Sequence, residues 1–242
     1  MKNYRLKIFI DFDGTISKND VWINSLGRFI DDKKKFDQIC EDLYSQRIGT
    51  RETVIRQLEL IENFSIGKFN SYLDEEEIDE YFKEFVEFCK ENEFEINVVS
   101  EGMDYYISYI LNRENIYVKF FACKMIWDET TKKLSSEFIY TDENCRSCET
   151  CKRNILINLT NDLENEVSVY IGDGASDYCV SRYADIVFAK GRLASYCWKN
   201  NITYFDYKNF GDIKNKISKS IDNNFRQRQE AKIRRRDVIM GG

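Results

Sequence analysis

The sequence predicts an α/β protein, a doubly wound parallel sheet interrupted after its first strand by an all-helical insertion. Three observations carry this. From residue 95 onward, short β-prone apolar runs alternate with helical spacing, the rhythm of βαβ units. The first run, Ile8 to Ile10, has no polar break, as a strand buried on both faces requires. Three runs end in groups suited to phosphate or metal, namely Asp11 and Asp13, then Ser100, then Asp173 and Asp177. Open parallel sheets gather ligands beyond the carboxyl ends of their strands.

Taken in order, Ile8 to Ile10 lead into Asp11-Phe12-Asp13-Gly14-Thr15, where Gly14 permits a sharp turn. Helical spacing then runs from Asp20 to Ile61, through Val21, Leu26, Phe29, Phe36, Ile39, Val54 and Leu58. Asp20 and Thr50 are expected N-caps, and Gly49 breaks the helices. A further helix is expected from about Glu75 to Glu91, with Ile78, Phe82, Phe85 and Phe88 inward. Glu95 to Ser100 reads as a strand and Tyr105 to Leu111 as part of a helix. Val118 to Trp127 and Leu134 to Tyr140, joined by polar residues, read as a β-hairpin on the edge of the fold. A cysteine loop, Cys145 to Cys151, precedes a helix from Lys152 to Leu163. Strands at Val167 to Ile171, Ile186 to Ala189 and Ile202 to Phe205 complete the sheet, with helices through Tyr183 and from Leu193 between them. The expected organisation is a core of residues 1–16 and 94–225, a helical cap of 17–93 and a basic tail of 226–242. That tail carries six basic residues between 226 and 236 against Glu230 alone, and reads as a solvated, partly frayed terminus ahead of RNA or membrane binding.

Composition removes several function classes. The 242 residues include no histidine, which excludes Ser-His-Asp and Cys-His catalysis and every histidine metal site. There is no proline, so turns must rely on Gly, Asn and Asp. A net charge of −6 argues against a nucleic-acid-coating protein. No apolar run approaches the roughly 20 residues of a membrane helix, so no membrane partner is expected. Met1-Lys2-Asn3 leads directly into the first strand, from which a leaderless, cytoplasmic protein is expected. Its eight cysteines are then thiols or metal ligands. A monomer or homodimer is expected.

The polar strand ends fit one reaction. Two acids at the end of a buried strand are costly unless they hold a cation or do chemistry, although Asp and Gly also favour an Asx-type turn. Asp11, Asp13 and Asp173 supply hard oxygen ligands suited to Mg²⁺. A carboxylate can also attack phosphorus to give an aspartyl phosphate. Ser100 and the backbone of Glu101-Gly102 supply donors for phosphoryl oxygens, and Lys152 supplies charge. The bland alternatives are a helix cap for Ser100 and a surface lysine for Lys152.

In this order, Asp11-Phe12-Asp13-Gly14-Thr15, Val99-Ser100-Glu101-Gly102, Lys152 and Gly172-Asp173-Gly174-Ala175-Ser176-Asp177 resemble the four motifs of the haloacid dehalogenase superfamily of phosphatases. The resemblance implies a Rossmann-like core with a cap of the first type, as in the phosphoserine phosphatase-like branch (subfamily IB). It implies Asp11 as nucleophile, Asp13 as general acid and then base, and Ser100 with Lys152 on the phosphate. It also implies Mg²⁺ on Asp11, Asp13 and Asp173, with Asp177 supporting the metal or Lys152. The runs Cys145 to Lys152, Ser100 to Tyr106, Asp177-Tyr178-Cys179 and Ala184 to Lys190 further resemble the methionine-salvage phosphatase group. That group removes phosphate from 2-hydroxy-3-keto-5-methylthiopentenyl-1-phosphate, so a small phosphorylated metabolite is the implied partner.

The same residues admit other readings. Asp20 stands where phosphoserine phosphatases carry a glutamate, and Arg56 falls near their cap arginine, with Arg51 a further candidate. Both arginines read equally as exposed helix residues. Phosphoglycolate and sugar phosphates are further substrates to weigh. Zinc on Cys145, Cys148 and Cys151, completed by Cys123, Cys179 or Cys197, ranks behind a plain loop of reduced thiols, because zinc sites usually take two separated pairs. A non-enzymatic phosphoacceptor and a zinc-stabilised nucleic-acid module are the readings from other classes.

Overall fold

In the computed structural model, which describes residues 4–145, 147–221 and 225–241, β1 (Arg5–Ile10) sits at the centre of one sheet. Met1-Lys2-Asn3, on which the leaderless start rests, and Arg146 of the cysteine run lie outside the described residues. The other strands are β2 (Glu95–Met103), β3 (Lys119–Asp128), β4 (Lys133–Glu137), β5 (Glu166–Gly172), β6 (Ile186–Ala189) and β7 (Phe205–Asp206). Their order across the sheet is β4-β3-β2-β1-β5-β6-β7, parallel except for the β3–β4 hairpin at one edge.

Burial follows the pleat of the strands. Leu6, Ile8 and Ile10 of β1 join Val167, Val169 and Ile171 of β5 on one face, while Phe9 and Tyr170 point to the other. Both faces are therefore apolar, as a parallel sheet covered twice requires. In the absence of proline, Asn63, Asn115, Asn165 and Asn201 adopt positive φ in the turns.

The insertion carries α1 (Val21–Asn24), a 3₁₀ turn at Leu26–Phe29, α2 (Lys33–Tyr44), α3 (Thr50–Leu58) and α4 (Ile66–Asp74). Phe29, Phe64, Phe69 and Tyr72 knit it together, with ring centroids 5.0 to 6.5 Å apart. It is joined to the core at a narrow neck, where Ser17 bridges Ile78 and Lys18 N donates to the Glu77 carbonyl at 2.8 Å.

Several expected elements move. The helix expected from Glu75 is α5 (Phe82–Glu91), because Ile78 is drawn into the bridge with Ser17 and Asp79 accepts from Tyr81 N at 2.9 Å. α5 packs on β2 and on α10 (Phe210–Ile221), so it covers the sheet instead of joining the inserted helices. Neither α4 nor α10 was expected, although Ile66, Phe69 and Leu73 have helical spacing. Thr50 is not an N-cap. Gly49 takes that position, where a Cβ would stand 2.5 Å from the Ser147 carbonyl, and the Thr50 hydroxyl donates to that same carbonyl at 3.1 Å. The last strand forms at Phe205–Asp206, later than expected.

The remaining helices are α6 (Asp104–Arg113), α7 (Lys152–Leu159), α8 (Tyr178–Ser181), α9 (Gly191–Lys199) and α11 (Gln229–Ile239). α11 corrects the reading of a solvated tail. Arg235 is 1% exposed and donates to Asp162, to Asp185 at 3.1 Å, to Ser168 Oγ at 3.1 Å and to the Tyr183 carbonyl. Arg228 N donates to Asp185 at 2.8 Å, Arg234 pairs with Glu230 at 2.7 Å and Arg236 with Asp237 at 3.0 Å. Arg228, Lys232 and Arg235 thus dock at the amino ends of β5 and β6, while Arg234 and Arg236 pair on the exposed side of the helix. No helix among the described residues is long and apolar enough to cross a membrane.

Candidate active site

β1 delivers Asp11 to the carboxyl edge of the sheet, where its N–H donates to the Ile171 carbonyl of β5 at 2.9 Å. Asp11 Oδ1 accepts from Phe12 N at 2.8 Å and pairs with Lys152 Nζ at 2.7 Å. Among the described residues no donor reaches Oδ2. The chain then makes a single turn, Phe12–Ile16, with Gly14 at φ +71. A Cβ on Gly14 would stand 2.7 Å from Asp173 Oδ2, so both the backbone angle and the space demand glycine.

Asp173 directly follows β5 and accepts from Thr15 Oγ1 at 3.1 Å. Asp177 lies beneath it, fully buried. Its Oδ2 accepts from Asp173 N and Gly174 N, both at 3.0 Å, and its Oδ1 accepts from Lys152 at 2.7 Å and from the Tyr170 hydroxyl. Gly172 must lack a side chain here, since its Cβ would lie 2.3 Å from Asp177 Oδ2. Asp177 is thus taken up in shaping the turn and holding Lys152.

Asp11, Asp173 and Asp177 each bring one oxygen within 4.8 Å of the others. Burial, then the neighbouring Asp177, pushes Asp11 well above the usual carboxylate range and Asp173 up to about 6. Burial alone would lower Lys152, but Asp11, Asp177 and Glu101 outweigh it and hold the ammonium protonated. One cation among three acids leaves excess negative charge on hard oxygens, and this fits Mg²⁺.

Asp13 faces the other side of the turn. Its Oδ1 accepts from Val21 N at 2.9 Å, while Oδ2 accepts from the Tyr106 hydroxyl at 2.7 Å and faces Ser100 Oγ at 3.5 Å. Burial, then Asp20, pushes Asp13 up to about 7. Ser100 is completely buried, and its Oγ accepts from Gly102 N at 2.9 Å. β2 continues through Met103, so the Gly102 amide is occupied by Ser100 and does not open a helix as expected. Glu101 lines the neighbouring cleft, its Oε1 is buried without a partner, and burial pushes the carboxyl up to about 7.

That cleft, of about 700 Å³, lies between the residue 43–50 turn of the insertion and the core loops, and is lined by Tyr44, Arg47, Glu101, Cys148, Tyr178 and Arg192 among others. A larger cavity of about 890 Å³ sits under α11 at the opposite end of the strands, away from the aspartates.

The cap residues separate. Asp20 caps α1 through Ile23 N at 3.0 Å and acts on Asp13 through space. Arg51 is committed to the Cys148 carbonyl, at 3.1 and 2.8 Å, and lies 5.5 Å from the Phe138 ring. Arg56 points outward and pairs with Glu52 and Asp42. Neither arginine lines the cleft. The cysteines are free thiols, and among the described residues the aspartates are the one group spaced for a metal, so zinc on Cys145, Cys148 and Cys151 has no support. Burial pushes the Cys123 and Cys148 thiols far up, which keeps them protonated.

Tyr106, Tyr170, Thr15 and Glu149 carry no individual role in the sequence reading, although Thr15, Tyr106 and Glu149 fall within its motifs. Tyr106 and Tyr170 look like core aromatics there, because only the folded chain shows that their hydroxyls end on Asp13 and Asp177. Glu149 is 3% exposed and held well above the usual carboxylate range by burial and Glu101.

The profile of the family described as Putative Phosphatase matches residues 6–203. A 2-hydroxy-3-keto-5-methylthiopentenyl-1-phosphate phosphatase of Bacillus cereus (strain ATCC 10987 / NRS 248) is 29% identical over 224 residues, covering 88% of this chain and 95% of the relative. The phosphatase of that name from Bacillus mycoides (strain KBAB4) is 30% identical over 216 residues, covering 86% and 94%. A phospho-aspartyl intermediate analogue of phosphoserine phosphatase superposes with a TM-score of 0.65 at 20% identity, covering 86% of this chain and 95% of its own. A substrate-bound phosphoserine phosphatase gives 0.66 at 18% identity, covering 88% and 98%. The sheet and its inserted helices agree in fold with these structures, and the chain belongs to the family described as Putative Phosphatase.

Proposed function

We propose that the protein hydrolyses a small phosphomonoester by double displacement through Asp11, and that 2-hydroxy-3-keto-5-methylthiopentenyl-1-phosphate is its substrate. One observation carries the reaction: Asp11 keeps Oδ2 free of protein donors while Oδ1 is pinned by Phe12 N and Lys152, beside Asp173 and Asp177. The substrate rests on the named relatives alone.

In the first step Asp11 Oδ2 bonds to phosphorus, the ester P–O bond breaks, and Asp13 gives its proton to the departing alcohol oxygen. In the second, Asp13 takes a proton from water, whose oxygen attacks the phosphoryl group and frees Asp11. Lys152 and Ser100 hold the phosphoryl oxygens. Asp11, the Asp13 carbonyl and Asp173 would hold Mg²⁺, which neutralises phosphoryl charge when bound. Asp177 positions Lys152 and the Asp173–Gly174 turn.

The inserted residues between Ser17 and Ile78 serve as the lid, with α5 in the core layer, and the Tyr44–Thr50 turn forms the lid side of the cleft. Free thiols at all eight cysteines fit a cytoplasmic enzyme. Phosphoserine is disfavoured because Arg56 is engaged by Glu52 and Asp42 and Arg51 by the Cys148 carbonyl, which leaves neither to hold the serine carboxylate.

The test is Asp11→Asn in the presence of Mg²⁺. It should lower release of phosphate from p-nitrophenyl phosphate by at least about a thousand-fold with an unchanged far-UV spectrum. Retained turnover removes the nucleophile. A wild-type protein that takes up one phosphate and holds it would instead be a phosphoacceptor. A panel of phosphomonoesters that ranks the methylthiopentenyl ester below phosphoserine or sugar phosphates would overturn the substrate.

A further inference from the structure

We propose that Tyr106 is a positioning residue for Asp13, its hydroxyl fixing the carboxyl in the orientation from which it serves the leaving group. The inference rests on the reading of Asp13 as the acid. The Tyr106 hydroxyl donates to Asp13 Oδ2 at 2.7 Å, and the side chain is fully buried, with its ring 6.1 Å from that of Phe12. Val21 N holds the other oxygen at 2.9 Å, so the carboxyl is gripped at both ends, by α6 and by the first helix of the insertion. The space for the hydroxyl is made by Gly102, whose Cβ would stand 1.7 Å from it and 2.9 Å from Asp13 Oδ2. A phenol that only filled the core would need no such vacancy beside the acid. Without the hydroxyl, Asp13 Oδ2 keeps only Ser100 Oγ, at 3.5 Å, and that hydroxyl is assigned to phosphate. A carboxyl free to rotate loses the alignment that proton delivery requires.

The readout is dependence on the leaving group. A p-nitrophenolate departs without a proton, whereas an alkoxide needs one. Tyr106→Phe keeps the ring and its packing and removes the hydroxyl alone. With Mg²⁺ present, the single-turnover rate of alcohol release from an alkyl phosphate such as glycerol phosphate should fall about 10- to 100-fold, and that of p-nitrophenolate release from p-nitrophenyl phosphate should stay within about 3-fold of wild type, since this first release precedes the attack of water in which Asp13 also serves. Tyr105→Phe is the control on the same helix, since it removes a bond to Asn70 at 2.8 Å and none to Asp13, and should leave the alkyl-to-aryl ratio unchanged. Equal loss on both substrates, or no loss on either, overturns the proposal. Asp13→Asn separates the two levels. If it shows the alkyl-selective loss and Tyr106→Phe does not, the tyrosine has no positioning role. If it shows none, the acid assignment itself fails, and the proposal with it.

Discussion

Asp13 and Asp173 carry the electrostatic signature of the site at the level of single residues. They sit at about 7 and about 6, against roughly 3.9 for a free aspartate. Between about pH 4 and pH 7 the folded chain therefore holds protons that the unfolded chain has released, so raising the pH through that window removes stability from the metal-free protein. Thermal melts in chelator should show this as a steeper fall with pH for wild type than for Asp173→Asn. Added Mg²⁺ should restore wild type most at the upper end of the window and leave Asp173→Asn unmoved. A wild-type slope equal to that of the variant would mean that Asp173 ionises freely. Asp13 is held at the same scale by a single hydroxyl, that of Tyr106 at 2.7 Å from Oδ2.

At the scale of elements, the amino end of α3 is fastened to the loop before Lys152. Thr50 Oγ1 and Arg51 N donate to the Ser147 carbonyl at 3.1 Å, and the Arg51 guanidinium donates twice to the Cys148 carbonyl. The inserted helices and the loop that leads to Lys152 are thus joined directly. Arg51→Ala should raise KM about 10-fold and cost about 1.5 to 3 kcal/mol in a urea melt, with kcat little changed. Arg56→Ala, one turn further on, loses only exposed pairs with Glu52 and Asp42, and should stay within about 0.5 kcal/mol and keep its KM. Equal effects of the two substitutions would remove the clamp.

For the whole molecule, the two ends of the sheet divide the work. The carboxyl ends of the strands carry the aspartates, and the amino ends carry the α11 dock, in which Arg235 meets Asp162 and Asp185. Breaking a buried ion pair leaves its partner uncompensated. Arg235→Met should therefore cost about 3 to 5 kcal/mol by denaturant melt. Activity per folded molecule should stay at the wild-type level well below the melting temperature, because the acids lie at the far end of β5 and β6. An unchanged melt would show that α11 is dispensable.

The chain by itself determined the alternation of βα units, the central strand ending in Asp11 and the clustering of Asp11, Asp173 and Lys152, because strand period and strand-end chemistry are local properties. The insertion was legible for the same reason, although its last helix was not: only packing on β2 and α10 assigns α5 to the core. Tertiary structure alone decided that Arg51 holds a loop, that Tyr106 reaches Asp13, and that Arg235 of a run reading as solvated charge is buried. Sequence pattern reports which faces are apolar. Where one polar head meets another depends on elements dozens of residues apart, and no local period records that distance.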